Sequence, residues 1–143
     1  MNRYLIPVDG SATSDKAVAY LIEKRALRRN ADAMEIHLLN VQHPVSGDVS
    51  TFVDPTEISQ YHHDKGLEAL RSACALFDQA GLPYTRHVGL GEPAEVIARY
   101  AGEMGCDHIV IGTHGRSALA NAFLGSVAIE VVRLSRVPVT LIK

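Results

Sequence analysis

His108-Ile109-Val110-Ile111-Gly112-Thr113-His114-Gly115-Arg116, with nine residues between Gly115 and the run Gly125-Ser126-Val127, decides how this 143-residue chain folds. The aliphatic run Ile109-Val110-Ile111 has no polar alternation, which predicts a strand from His108 to Ile111 buried on both faces, the mark of a parallel sheet. Gly112 gives the chain the conformational freedom to leave that strand, and Gly115 lets a ligand approach bare backbone. Gly125 and Ser126 open a helix that runs to about Leu134. The free N–H groups and positive dipole end of such a helix suit a phosphate. Ser126 adds a hydroxyl donor and Arg116 a fixed positive charge, so the segment reads as a phosphate site rather than a set of turns.

Outward from this segment, strands and helices alternate. Tyr4 to Val8 is an apolar run ending in the turn Asp9-Gly10-Ser11. Ser11, Thr13 and Ser14 are candidate N-caps for a helix whose apolar face is Val18, Leu21, Ile22 and Ala26, with Arg25, Arg28 and Arg29 near its end. Ile36 to Val41 is a second strand. The stretch from Gln42 to Thr56, with Pro44, Gly47 and Pro55, reads as a long loop, a lid or a mobile surface segment. A helix starting near Glu57 carries Leu67, Leu70, Cys74 and Phe77 on one face and stops at Gly81-Leu82-Pro83. Tyr84 to Val88 is a weaker strand. Pro93 opens a helix with Val96, Ile97, Tyr100, Ala101 and Met104 on its apolar face and Gly105 as its stop, and Val137 to Ile142 is the closing strand. This alternation implies right-handed crossovers, a parallel sheet covered on both faces, and a ligand site beyond the carboxyl ends of the strands.

Composition bounds the rest. With 47% hydrophobic and 21% charged residues, the chain can bury one core, and a single domain over residues 1–143 is expected. Fourteen basic and sixteen acidic residues leave a net charge of −2, no footprint for nucleic acid or an anionic membrane. That balance argues against a polyanion but not against one nucleotide. Cys74 and Cys106 form no C-x-x-C motif, and Pro7 and Asp9 interrupt the apolar core a signal peptide needs, so a soluble, cytoplasmic protein is expected. His62 and His63 are adjacent and would diverge on a helix, and His37, His43, His87 and His108 have no carboxylate or cysteine at ligand spacing. All six read as surface or structural residues, and no metal site is expected. His114, between two loop glycines, either touches a phosphate or faces solvent.

The spacing G-x2-G-x9-G-[ST], here Gly112, Gly115, Gly125 and Ser126, resembles the nucleotide-binding signature of universal stress proteins. Ile6-Pro7-Val8-Asp9-Gly10-Ser11, Leu38-Leu39-Asn40-Val41, Val88-Gly89-Leu90-Gly91-Glu92-Pro93 and Val137-Pro138-Val139-Thr140-Leu141 are similar to other strands and turns of that family. The resemblance covers essentially the whole chain outside Gln42 to Thr56. It implies an open, five-stranded parallel sheet of order 3-2-1-4-5 with helices on both faces, the α/β fold of the adenine-nucleotide α-hydrolase type. It also implies ATP as ligand, with Mg²⁺ bridging its phosphates. Pro7 and Val8 would wall the adenine, Asp9 would accept from the ribose or base, and Val41 would meet the base edge through its backbone. Gly112, Gly115, Arg116, Gly125, Ser126 and Val127 would hold the phosphates. A homodimer through the strand Val137 to Ile142 is implied as well, covering an apolar edge that would otherwise be exposed.

No catalytic residue is assigned. The P-loop pattern G-x-x-x-x-G-K-[ST] and its lysine are absent, no Ser-His-Asp or Cys-His spacing stands out, and weak ATP hydrolysis is the most the resemblance allows. The implied use is regulatory, in a stress response. The alternatives are a nucleotide-free dimeric module of the same fold, which usually lacks the glycine pattern, and an enzyme of the related α/β group, which would carry an added catalytic motif.

Overall fold

The computed structural model describes residues 2–27, 34–44, 54–113 and 125–143. They form strands β1 (Asn2–Pro7), β2 (Met34–Gln42), β3 (Thr85–Leu90), β4 (His108–Gly112) and β5 (Val139–Ile142), and helices α1 (Ala12–Ala26), α2 (Pro55–Gln79), α3 (Pro93–Glu103) and α4 (Ser126–Leu134). The five strands lie in the order β3-β2-β1-β4-β5 that the family resemblance implies, and every neighbouring pair is parallel, as the alternation of strands and helices implies.

Period-two alternation along the strands divides the core into two layers. Tyr4, Ile6 and Val8, Ile36 and Leu38, and Val110 meet Val18 and Leu21 of α1 and Leu70 and Phe77 of α2. Leu5, Leu39, Ile109 and Ile111 point the other way, onto Val96, Ile97 and Ala101 of α3 and Val131 of α4. Helix α1 therefore leaves β1 for one face of the sheet while α4 leaves β4 for the other. Because β1 and β4 are neighbours, their carboxyl ends open a crevice between the two helix starts, the place where such sheets take ligands.

Several boundaries differ from the sequence expectation for local reasons. Helix α2 starts at Pro55 rather than near Glu57, because Asp54 caps it by accepting from the Thr56 N–H at 2.7 Å and proline suits the first turn. Strand β2 continues to Gln42, so both ends of the expected 42–56 loop are regular structure; residues 45–53 lie outside the described ones. Strand β3 omits Tyr84, whose hydroxyl donates to Asp78 at 3.0 Å, and runs on to Leu90. Strand β5 begins at Val139, not Val137, because the Ser135 hydroxyl holds Val137 in a turn, donating to its carbonyl at 2.7 Å and accepting from its N–H at 3.1 Å. Ala26 is exposed at the end of α1 rather than on its apolar face, and Arg28 and Arg29 lie outside the described residues.

Candidate functional site

A cavity of about 1110 Å³ occupies the crevice, the size class of small-molecule sites. Pro7, Val8 and Asp9 line it from the end of β1, Val41 from β2, Gly112 from β4, and Gly125, Ser126 and Val127 from the start of α4. Eight of the ten residues singled out in the sequence thus face one space. The other two, Gly115 and Arg116, and with them His114, lie outside the described residues.

Each wall has a physical origin. Strand β1 ends at Pro7, and the chain turns through Asp9, whose Oδ1 accepts from the Ser11 N–H at 2.9 Å, and Gly10, whose φ of 85° requires glycine. Ser11 then caps α1, its Oγ accepting from the Ser14 N–H at 3.2 Å. Across the crevice α4 is capped by Gly125, which has no side chain to offer the first turn, and that turn lines the cavity from Gly125 to Ala128. Ser126 is the first residue of α4, not its cap.

Gly112 is needed for a reason other than the turn expected of it. Its backbone is not in the left-handed region; a Cβ there would lie 2.7 Å from Thr13 Cγ2 and 3.1 Å from the Thr13 backbone. Glycine lets the start of α1 close over the end of β4 and brings the two helix starts to the same space.

The edge of β2 is prepared in a similar way. On one side the Leu39 carbonyl accepts from the Val8 N–H at 2.8 Å; on the other the Gln42 carbonyl accepts from the Gly91 N–H at 3.0 Å. Backbone groups alternate sides along a strand, so the Val41 N–H and C=O face the β1 side, just past the point where β1 stops. The Val8 carbonyl, the next acceptor a continued ladder would use, is taken by Asn40 Nδ2 at 2.8 Å.

Sequence reading missed the wall contributed by α2, where Tyr61, Lys65, Glu68 and Ser72 line the cavity, together with Asn40 and Gln42 on β2 and Thr113 after β4. The signal for Asn40 was a polar residue inside an aliphatic strand; it is 4% exposed. No comparable signal marked the α2 residues, which sit on an ordinary charged helix face.

The histidines need one correction. His37 does have a carboxylate partner: Glu35 Oε1 lies 2.9 Å from its Nε2, and His87 Nε2 lies 2.9 Å from its Nδ1. Arg3 completes the chain through Glu35 Oε2 at 3.0 Å. This network sits at the amino end of the sheet, away from the crevice. The hydrogen bond from His37, helped by Arg3, holds the Glu35 carboxyl below its usual value, while burial, with His37 adding to it, lowers the His87 imidazole. His62 is buried on α2 with neither ring nitrogen hydrogen-bonded among the described residues, and His63 beside it is exposed, the divergence expected of adjacent helical residues. Among the described residues no group of three His, Cys, Asp or Glu side chains could hold a metal ion, and no helix is long and apolar enough to cross a membrane.

Comparison with known proteins places this architecture. The family model described as "Universal stress protein family" matches residues 1–143. The chain belongs to the universal stress protein family. Among its curated relatives, universal stress protein MJ0531 of Methanocaldococcus jannaschii is 32% identical over 147 residues, covering 99% of this chain and 81% of its own. Among solved structures, that of the hypothetical protein MJ0577 is 26% identical with a TM-score of 0.82, over 99% of this chain and 95% of that one. The universal stress protein of Archaeoglobus fulgidus, solved in complex with dAMP, is 23% identical with a TM-score of 0.68, over 100% and 98% of the two chains. A universal stress protein family member from Arabidopsis thaliana, solved with AMP bound, is 21% identical with a TM-score of 0.69, over 100% and 92%. At this identity the last two speak for the fold.

Proposed function

We propose that this universal stress protein binds an adenine nucleotide, ATP, in the crevice between β1 and β4, and acts by regulation rather than by turnover. The observation that carries the reading is the joint placement of a bare strand edge at Val41, the Asp9 carboxylate and the first turn of α4 around one cavity. In this reading the base lies against Pro7 and Val8 and meets the Val41 backbone, and Asp9 accepts from the ribose or base. The phosphates rest on Gly112, Gly125, Ser126 and Val127, with Gly115 and Arg116 completing their cradle. Relatives of the same fold solved with dAMP and AMP support an adenine mononucleotide core for the ligand. Mg²⁺ would enter with the triphosphate, held by phosphate oxygens and water, in keeping with its preference for retaining water.

Calorimetric titration of the full chain with ATP and with AMP tests this. Saturable binding below millimolar concentration is expected for ATP. No heat up to millimolar ATP refutes the reading and leaves the nucleotide-free module of the same fold. Gly115→Leu should abolish binding with the fold intact.

The same proposal includes a homodimer. Strand β5 is an edge strand, and Ile129 and Val132 on the neighbouring α4 are each 48% exposed, an apolar surface that antiparallel pairing of β5 with a second copy would help cover. Light scattering at micromolar concentration should give twice the chain mass; a mass near 15.5 kDa rejects the dimer. A cytoplasmic, stress-responsive role completes the proposal.

A further inference from the structure

Two side-chain amides at the end of β2 fix one another's orientation. Asn40 is buried and its Nδ2 donates to the Val8 carbonyl at 2.8 Å. A carbonyl can only accept, so Asn40 must turn its nitrogen to Val8 and its Oδ1 the other way. Gln42 Nε2 donates to that Oδ1 at 2.6 Å. The order of donors and acceptors is therefore set from the backbone outward: Val8 carbonyl, Asn40 amide, Gln42 amide. An unconstrained glutamine can rotate its amide and offer either a donor or an acceptor to a ligand. Here rotation would set Gln42 Oε1 against Asn40 Oδ1, two acceptors in contact, so Oε1 stays the acceptor that the Asn40 bond does not use.

Gln42 lines the cavity next to Val41, the residue whose backbone faces past the end of β1. We infer that Gln42 Oε1 selects a purine carrying a 6-amino group over one carrying a 6-oxo group, with Asn40 as the positioning residue that holds the amide in that sense. The inference rests on the adenine-nucleotide reading above. An amino group at position 6 donates to Oε1; a 6-oxo group presents a second acceptor there, leaving both oxygens unpaired in a partly desolvated site. Sites built to hydrogen-bond a ligand N–H discriminate strongly against analogues that lack it.

ATP and ITP share ribose and triphosphate and differ in the base alone, at position 6 and in the proton that the 6-oxo form carries on N1. The change in their affinity ratio between wild type and a Gln42 variant therefore isolates the part set by Gln42. Calorimetric titration of the full chain should show ATP preferred over ITP by about tenfold or more, the range of one unpaired hydrogen-bonding group. In Gln42→Leu the ratio should fall severalfold, through weaker ATP binding with ITP binding kept or improved, leaving the discrimination that the Val41 backbone supplies. Gln42→Leu leaves the backbone bond from Gly91 to the Gln42 carbonyl in place, and circular dichroism verifies its fold. Asn40→Leu should also lower the ratio although Gln42 is still present, a change that a purely structural Asn40 would not produce. An unchanged ratio in folded Gln42→Leu, or equal affinity of the wild type for both nucleotides, overturns the inference while the nucleotide site stands. A wild type that binds neither nucleotide overturns both.

Discussion

Helices α1 and α4 begin at the same crevice from opposite faces of the sheet, and their first turns are finished in opposite ways. Helix α1 is closed by its own residue, Ser11, whose hydroxyl accepts from the Ser14 N–H, while the Asp9 carboxylate accepts from the Ser11 N–H. Helix α4 starts at a glycine that closes nothing. The serine-capped start is structural, a means of turning the chain out of β1. The glycine start has no capping side chain of its own, so its first turn can offer donors and a dipole to a ligand. Two helix starts in one cavity are not equivalent, and the capping residue tells them apart.

The largest break in this pairing should come from Gly112. Gly112→Val would drive a side chain into the Thr13 backbone, and a loss of about 3 kcal/mol in urea unfolding is expected for overpacking at so tight a contact, with ATP binding lost as well. Giving α4 a cap of its own comes next. Gly125→Asp would place a carboxylate where the proposed phosphates lie, so ATP affinity should fall about tenfold or more in calorimetry. The unliganded protein should meanwhile melt no lower than the wild type, because Asp caps at least as well as Gly. The converse change, Ser11→Ala, removes the cap of α1 and should cost about 1 kcal/mol of stability with little change in ATP affinity. Equal effects of the last two variants on binding would erase the distinction between the two helix starts.

The smallest effect sharpens the contrast with the amino end of the sheet, where Arg3, Glu35, His37 and His87 satisfy one another. Burial lowers the imidazoles of His87 and His108 below 6.5, with His37 and Lys24 adding to it respectively. A histidine lowered in the fold binds fewer protons there than when unfolded, so its stabilising effect is complete above about pH 6.5 and declines as pH falls below it. Melting curves from pH 7.5 to 5 should therefore show a modest drop in Tm, and His87→Gln should reduce that drop.

Legibility followed the range of the forces involved. The start and end of α4 at Ser126 and Leu134, the turn Asp9-Gly10-Ser11 and the strand order were readable, because caps, glycines and period-two runs act over a few residues and the family resemblance supplied the rest. The contact of His37 with His87 was not, since it joins residues 50 apart through strand register. Nor was the role of Gly112, whose reason is Thr13 across the crevice rather than its own dihedral angles. The α2 wall was missed because Lys65 and Glu68 look the same in sequence whether they face a cavity or open water.

The two-layered core gives the chain a built-in clock. Cys74 is buried in the layer under α1 and α2, Cys106 in the layer under α3 and α4, and both are free thiols. Burial pushes the Cys106 thiol up to about 11, so almost no thiolate exists at neutral pH until its layer opens. The rate at which Cys106 takes up a thiol reagent therefore reports how often its own side of the sheet comes apart. A ligand that clamps the crevice would slow that rate.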